Sequence, residues 1–350
     1  MPHLAHLGLL LIALAVSAAV TPVTIHLCRR HGVLDQPAAR KVHTRAIPRL
    51  GGVAIFVSIS LALTALVLGS VSGWFELSYD QARLVPVLYL GLCGFFFIGF
   101  LDDLRSLPAL PRLAAQFVVA TAVVVLSADG GIRIATVFGR VVFPEWFAIL
   151  ITVLWLVLVV NTFNWIDGLD GLAAGIGGIS ALAFFILAVA KPGLPNAQLT
   201  IALGITLLGA LGGFLPFNFH PARVFIGDGG AFSLGYMLGV ISVIGLFKQA
   251  AVISFLVPVA ILALPLTDTA FAIFRRVVRG KPVTAPDSRH IHHRMLALLS
   301  RGYRDRLPSP ARNELEEELV AQWAHRSTVV ALYGFTAVFA AIAVVVGIYT

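Results

Sequence analysis

Asn161-Thr162-Phe163-Asn164-Trp165-Ile166-Asp167-Gly168-Leu169-Asp170-Gly171 stands between two apolar runs, Trp146–Val160 and Leu172–Ala190. The runs have the length and composition of membrane spans. The segment between them carries two carboxylates, two carboxamides and two glycines, none of which lipid can satisfy. A charge near the bilayer centre costs about 2.5–3.5 kcal/mol on insertion scales. Asp167 and Asp170, three residues apart, also repel one another on one side of a helical turn unless a cation or donor lies between them. Such a cluster is kept for chemistry, or it lies in a loop at the membrane surface. Both readings apply here.

The rest of the chain is of one kind with these flanks. It is 59% hydrophobic and 12% charged, with a mean hydropathy of +0.93, against roughly 25% charged residues in soluble domains. Ten apolar runs read as spans: Leu7–Leu27, Gly52–Leu68, Leu84–Leu101, Leu113–Leu126, Trp146–Val160, Leu172–Ala190, Leu199–Phe217, Ala231–Phe247, Ala251–Phe274 and Val329–Ile348. The expected fold is an all-α polytopic membrane protein, a single domain over residues 1–350 with no soluble module. Gly131–Pro144 adds one small β-hairpin turning near Gly139, read as a surface flap. Met1–His6 lacks the cationic n-region of a cleaved signal, and Arg29 and Arg30 follow the first run. An uncleaved span with its N-terminus outside is therefore expected. Cys28 and Cys93 lack metal or redox spacing and read as inert thiols.

Charge sets the orientation. Twenty of the 25 Lys and Arg lie in the connections Cys28–Leu50, Asp102–Arg112, Pro216–Gly230 and Arg275–Arg326, which the positive-inside rule makes cytoplasmic. The Asn161–Gly171 loop lies on that side too, and ten spans place both termini outside. The net charge of +8 is thus a topological signal first and an anion-binding one second; no nucleic-acid partner is expected. Pro308, Pro310 and Glu314–Glu318 suggest a solvated surface helix without chemistry.

Five polar cassettes share the cytoplasmic side, in connections near 28–51, 102–112, 161–171, 216–230 and 275–326. The first is Arg40-Lys41-Val42-His43, then Ile47-Pro48-Arg49-Leu50-Gly51-Gly52, cations followed by glycines that let backbone N–H groups approach a ligand. The second is Asp102-Asp103, with Arg112 and Gln116 following. Acids at a helix C-terminus oppose the helix dipole, so the pair marks a site for a cation or for general-base work. In the third, Asn161, Asn164, Asp167 and Asp170 recur every three residues; on a helix they line one pocket, with oxygen donors of the kind Mg²⁺ takes. The fourth, Phe217-Asn218-Phe219-His220-Pro221-Ala222-Arg223-Val224-Phe225-Ile226-Gly227-Asp228-Gly229-Gly230, sets Asp228 at a helix N-terminus. It offers a carboxylate for metal and free N–H groups for phosphate. The fifth is Asp287-Ser288-Arg289-His290-Ile291-His292-His293-Arg294. It has no Cys or fourth ligand to complete a zinc site, and its cations suit a diphosphate. Asp268, inside the ninth run, is placed to orient one of them.

Together, from Lys41 to His293, these cassettes resemble the polyprenyl-phosphate N-acetylhexosamine-1-phosphate transferases, five motifs in the family's order. The Ile47–Gly52 stretch and the spaced His290/His292/His293 resemble the branch that uses UDP-N-acetylglucosamine or a related UDP-N-acetylhexosamine. The phospho-MurNAc-pentapeptide transferases, the alternative branch, show a Thr-Pro-Thr-like stretch and three contiguous His. The resemblance implies a Mg²⁺-dependent enzyme of the bacterial inner membrane, with Mn²⁺ as the alternative ion and a homodimer allowed. It would transfer a sugar 1-phosphate from a UDP-sugar to undecaprenyl phosphate, releasing UMP, as the first membrane step of a cell-envelope glycan. It assigns Asp228 and Asn164 to the metal, and Asp102 and Asp103 to positioning or deprotonating the lipid phosphate. Phe225 becomes a uracil-stacking ring beside Asp170 and Asn218. His290, His292, His293 and Arg289 become a diphosphate clamp, with Lys41, His43, Arg49, Arg112, Asn161 and Asp167 as further substrate contacts. The family's usual Lys is Arg112 here, which suits phosphate binding better than proton transfer. A secondary transporter is the alternative from another class.

Overall fold

The computed structural model of the protein describes residues 2–37, 45–127, 131–134, 136–137, 141–193, 196–245, 259–280, 290–306 and 314–349. Eleven helices are present among them: α1 (Pro2–His31), α2 (Gly52–Val71), α3 (Tyr79–Arg105), α4 (Ala109–Leu126), α5 (Glu145–Ile166), α6 (Leu172–Ala190), α7 (Ala197–Asn218), α8 (Gly227–Gly245), α9 (Ala263–Val278), α10 (Ile291–Arg306) and α11 (Glu314–Tyr349). Nine of these described helices, α1 to α8 and α11, are long and apolar enough to cross a bilayer. The run expected as a ninth span begins at 251–258, outside the described residues, and enters them before α9.

In lipid every backbone polar group must be paired internally, which leaves helices as the natural solution for such runs. Apolar burial does not choose partners in a bilayer, so close packing between small residues does. The helix α8 shows this. It is the most enclosed of the spans, packed against α2, α3, α5, α6 and α7. A Cβ on its Gly235 would lie 2.7 Å from the Val160 Cα of α5. One on Gly52 of α2 would lie 2.1 Å from the Gly230 backbone nitrogen. By contrast α4 and α11 turn large side chains outward, among them Val118, Phe335, Val338 and Ile342, as lipid-facing positions require.

Two pairs of short strands complete the fold. β1 (Leu34–Asp35) pairs antiparallel with β2 (Ile47–Pro48). β3 (Thr136–Val137) pairs with β4 (Val141–Val142) in the register Thr136↔Val142, the expected hairpin, whose turn near Gly139 lies outside the described residues.

The expected surface helix at Glu314–Glu318 is instead the start of α11, a single helix of 36 residues. No Gly or Pro interrupts the chain from Ala311 to Tyr333, so nothing stops the last span from continuing. About 20 residues cross a bilayer; α11 therefore projects several turns beyond it, with Val320 and Ala324 buried against the protein.

Candidate active site

The C-terminal ends of α1, α3, α5 and α7 and the N-terminal ends of α2, α6, α8 and α11 meet at one side of the molecule, around a cavity of about 830 Å³. All five cassettes contribute to its wall: Arg49 from the first, Asp103 from the second, Asp167 and Asp170 from the third, Asn218, His220, Arg223, Phe225 and Asp228 from the fourth and His293 from the fifth. Lys41, His43 and Arg289 lie outside the described residues.

Asp103 closes α3 and at the same time caps α8. Its Oδ1 accepts the Asp228 N–H at 3.1 Å and its Oδ2 the Gly229 N–H at 3.0 Å. The unfavourable dipole at the end of its own helix is offset by the favourable one at the start of α8. The expectation that these N–H groups stand free for phosphate is thereby corrected: a carboxylate of the protein takes them. Gly227 makes the contact feasible, with φ +68 and a notional Cβ 2.7 Å from Asp103 Oδ2; only glycine takes that conformation in that space.

Asp102 lies beside Asp228, just behind the cavity wall. Its Oδ1 accepts the Leu107 N–H at 2.6 Å and its Oδ2 is bound by Arg112 Nη1. The same Arg112 nitrogen lies 3.7 Å from Asp228 Oδ2. Arg49 lies 3.7 Å from Asp103 Oδ1 and donates to the Asp102 carbonyl at 3.3 Å. Two guanidinium groups thus bracket the acidic pair, both of whose side chains are buried.

The glycine pair Gly51-Gly52 serves close approach, but to protein rather than ligand. The Gly51 and Gly52 N–H groups donate to the Phe225 and Ile226 carbonyls at 3.0 and 2.7 Å, and the Phe225 N–H donates to the Pro48 carbonyl at 2.8 Å. This ladder holds Phe225, half-buried, in the cavity wall.

The three-residue series in the third cassette divides. Helix α5 ends at Ile166, with Asp167 already off helical geometry (ψ 59) and Gly171 at φ +79. Asn161 turns away from the cavity, donating to Gln116 Oε1 at 2.6 Å and to the Val157 carbonyl at 2.8 Å. Asn164 donates to Asp228 Oδ1 at 2.6 Å. Asp170 accepts His220 Nδ1 at 2.7 Å and the Ala222 N–H at 3.0 Å. Burial alone would raise the Asp170 carboxyl, but these two bonds outweigh it and hold the group below its ordinary range. Asp167 has no such donors among the described residues; burial, with Asp103 and Asp170 adding negative charge, pushes it up to about 8. Asn218 lies at the cavity floor with its amide committed to backbone, accepting from Gly171 N at 3.2 Å and donating to the Val224 carbonyl at 2.9 Å.

Among the three histidines of the fifth cassette, only His293 lines the cavity. His290 Nδ1 lies 3.0 Å and His292 Nδ1 3.6 Å from Asp268 Oδ2, and the Ile291 N–H donates to Asp268 Oδ1 at 2.9 Å. Asp268 therefore anchors the start of α10, as its placement in the ninth run suggested. Burial lowers the His292 imidazole pKa in spite of this acid. The Asp167-Gly168 turn packs directly on that ring, where a Cβ at Gly168 would lie 2.3 Å from His292 Nε2.

The oxygen donors suit a hard divalent cation. Asn164 uses its amide N–H on Asp228, which leaves its carbonyl oxygen to coordinate. Asp103 and Asp167 line the same cavity as Asp228 and add to the acidic character of its wall.

Sequence inspection did not single out Arg29, Asp35, Arg45, Glu318, Gln322 and His325, which also line the cavity. For the last three a signal existed: positions 318, 322 and 325 share one face of a helix. The adjacent acidic run made the segment look merely solvated.

The family model described as glycosyl transferase family 4 matches residues 85–246. A probable undecaprenyl-phosphate N-acetylglucosaminyl 1-phosphate transferase of Bacillus subtilis (strain 168) is 35% identical over 295 residues, covering 82% of this chain and 76% of that one. A decaprenyl-phosphate N-acetylglucosaminephosphotransferase of Mycolicibacterium smegmatis is 33% identical over 287 residues, 77% of this chain and 70% of the other. A phospho-N-acetylmuramoyl-pentapeptide-transferase of Desulforudis audaxviator is more distant, 31% identical over 256 residues, 67% of this chain and 74% of the other.

Proposed function

The chain belongs to glycosyl transferase family 4, on the side of the polyprenyl-phosphate N-acetylglucosamine-1-phosphate transferases, and from that premise we propose the reaction in full. The protein, a multi-pass membrane transferase, moves N-acetylglucosamine 1-phosphate from UDP-N-acetylglucosamine to undecaprenyl phosphate, releases UMP and requires Mg²⁺. It acts at the cytoplasmic face of a bacterial inner membrane and opens the synthesis of a cell-envelope glycan.

One observation carries this reading: cassettes scattered over some 250 residues converge on a single cavity at the ends of the spans. A water-soluble diphosphate and a lipid phosphate can meet only at such an interface. A transporter would hold its substrate near the bilayer midplane instead.

In the transfer, an oxygen of the lipid phosphate attacks the phosphorus bonded to the sugar. The bridging P–O bond breaks, and UMP leaves with the electron pair. A phosphate monoester has its second pKa near 6, so the lipid phosphate is largely dianionic at pH 7 and needs no base. This suits Asp102 and Asp103, whose oxygens already serve Arg112, Leu107 and the start of α8. They hold Arg112 and Asp228 in place. Arg49, Arg223 and His293 at the cavity wall offset the charge of the two phosphate-bearing substrates. Asp228 and Asn164 would hold Mg²⁺, which when bound neutralises the diphosphate and eases departure of UMP.

The test is purified protein in detergent with undecaprenyl phosphate and a panel of UDP-sugars, scored for UMP. Release that needs the lipid, Mg²⁺ and UDP-N-acetylglucosamine is expected. UMP release with none of the panel would overturn the proposal.

A further inference from the structure

One polar cluster in the cavity wall has hydrogen-bonding capacity that the protein leaves unused. His325, on the α11 face that carries Glu318 and Gln322, stacks on His220 with ring centroids 3.9 Å apart and planes at 17°. His325 is 2% exposed, and both rings line the cavity. Asp170 grips His220 at Nδ1, 2.7 Å away, which fixes that ring and leaves its Nε2 over. Neither His220 Nε2 nor either ring nitrogen of His325 completes a hydrogen bond among the described residues, although the Asp170 backbone carbonyl lies close to the His325 ring. Leaving buried polar atoms unpaired is costly, and a polar group entering the cavity beside them would satisfy them.

By residue type the cluster could be a metal site, since one ligand atom from each of Asp170, His220 and His325 lies within 4.8 Å of the others. The ring geometry opposes it. An imidazole lone pair lies in the ring plane, and two rings stacked nearly parallel send their lone pairs side by side. They do not converge on one tetrahedral ion. Side-by-side ring nitrogens instead match two neighbouring hydroxyls of a sugar, each able to donate or accept.

We propose that the N-terminal part of α11 builds a hydroxyl-recognition subsite, in which His325 and His220 bind adjacent hydroxyls of the donor. The diol is that of its ribose or of its hexosamine. The inference rests on the donor being a UDP-sugar. The subsite is tied to the loops it serves: Arg326 Nε donates to the His220 carbonyl at 3.3 Å and the Tyr333 hydroxyl to the Gly171 carbonyl at 2.5 Å. His325 is thus a specificity-determining residue from a segment that reads, by its acidic run, as a solvated surface helix.

His325→Ala and His325→Phe test this against wild type, because Phe keeps a ring against His220 but removes the nitrogens. Both are expected to raise KM for UDP-N-acetylglucosamine about tenfold, the equivalent of about 1.4 kcal/mol. The kcat and the KM for undecaprenyl phosphate should stay within about twofold, and the Phe variant should unfold at the wild-type temperature. Calorimetry with UDP then locates the diol. Weaker UDP binding by the variants assigns the ribose, whereas unchanged UDP binding with a raised donor KM assigns the hexosamine. A wild-type donor KM in His325→Phe would overturn the proposal, since the ring would then only pack. Equal rises in KM for donor and lipid would also overturn it. So would zinc retained stoichiometrically by wild type and lost from His325→Ala. If wild type turns over no UDP-sugar, the proposed function fails, while calorimetry of the variants with UDP and with UDP-N-acetylglucosamine still reads the subsite: weaker binding of either supports it, and unchanged binding of both overturns it.

Discussion

At the scale of single residues, Asp228 and Asp167 share one cavity and differ in what surrounds them. Asp228 is held by Asn164 and faced by Arg112, so it is fixed where a cation would sit. Asp228→Asn should nearly abolish turnover while expression and membrane insertion survive. More than about a tenth of wild-type activity at saturating Mg²⁺, roughly 1.4 kcal/mol of barrier, would remove it from that role. Asp167 has a pKa of about 8, against about 3.9 for an unstructured Asp. Between those values the folded protein holds a proton that the unfolded chain has lost, so Asp167 subtracts stability as pH rises from about 4 to 8. With Mg²⁺ chelated, Asp167→Asn should therefore unfold at a higher temperature than wild type at pH 8, with the gap shrinking toward pH 5. A constant gap across that range would show that Asp167 is already ionised. Asp102 and Asp103 are read by rate rather than stability. As positioning groups, they leave the acid limb of the pH–rate profile near pH 6 in both Asp→Asn variants and in the double, because the limb belongs to the substrate phosphate. Loss of the limb in one variant would restore a general base.

At the scale of elements, the helices were legible in the sequence and their mutual contacts were not. Apolar length alone located α1 to α8, because a bilayer leaves such a run little but a helix to form. The three-residue series Asn161–Asp170 read as one pocket face, yet the helix stops at Ile166 and Asn161 pairs with Gln116 of α4. Which groups converge depends on contacts between distant positions, as in the bonds from Asp228 and Gly229 to Asp103, more than 120 residues away. No local periodicity encodes these. Glycines gave a partial signal, marking close approach without naming the partner. Gly52 of α2 lies against Gly230 of α8, whose first turn carries Asp228. Gly52→Ala must push the two helix starts apart, since the notional Cβ meets backbone at 2.1 Å. A destabilisation of about 1–3 kcal/mol, seen as a lower unfolding temperature, and a marked loss of activity are expected. Gly178→Ala in α6 has nothing within 4 Å and should be neutral or slightly stabilising, because Ala favours helix over Gly. Similar losses in both variants would rule out the close contact as the cause.

At the scale of the whole molecule, the position of the site and the distribution of charge are independent observations that coincide. The cavity is built from alternate helix ends, the C-terminal ends of α1, α3, α5 and α7 and the N-terminal ends of α2, α6 and α8. Successive spans run in opposite directions, so these ends all lie on one side. The connections on that side hold 20 of the 25 Lys and Arg, and the positive-inside rule predicts that such a side faces the cytoplasm. A nucleotide-sugar donor is made in the cytoplasm and cannot cross lipid unaided, so the orientation is a requirement of the proposed chemistry as well as of insertion. Single cysteines test it, in a background where Cys28 and Cys93 are replaced. Ser106→Cys, just after α3 on the cavity side, should react in intact cells only with a reagent that enters the cytoplasm. Ser72→Cys, just after α2 on the opposite side, should react with an impermeant reagent added outside. If an impermeant reagent labels Ser106→Cys and spares Ser72→Cys, the protein is inverted. The cavity would then open away from any cytoplasmic donor, and the transfer proposed here could not proceed.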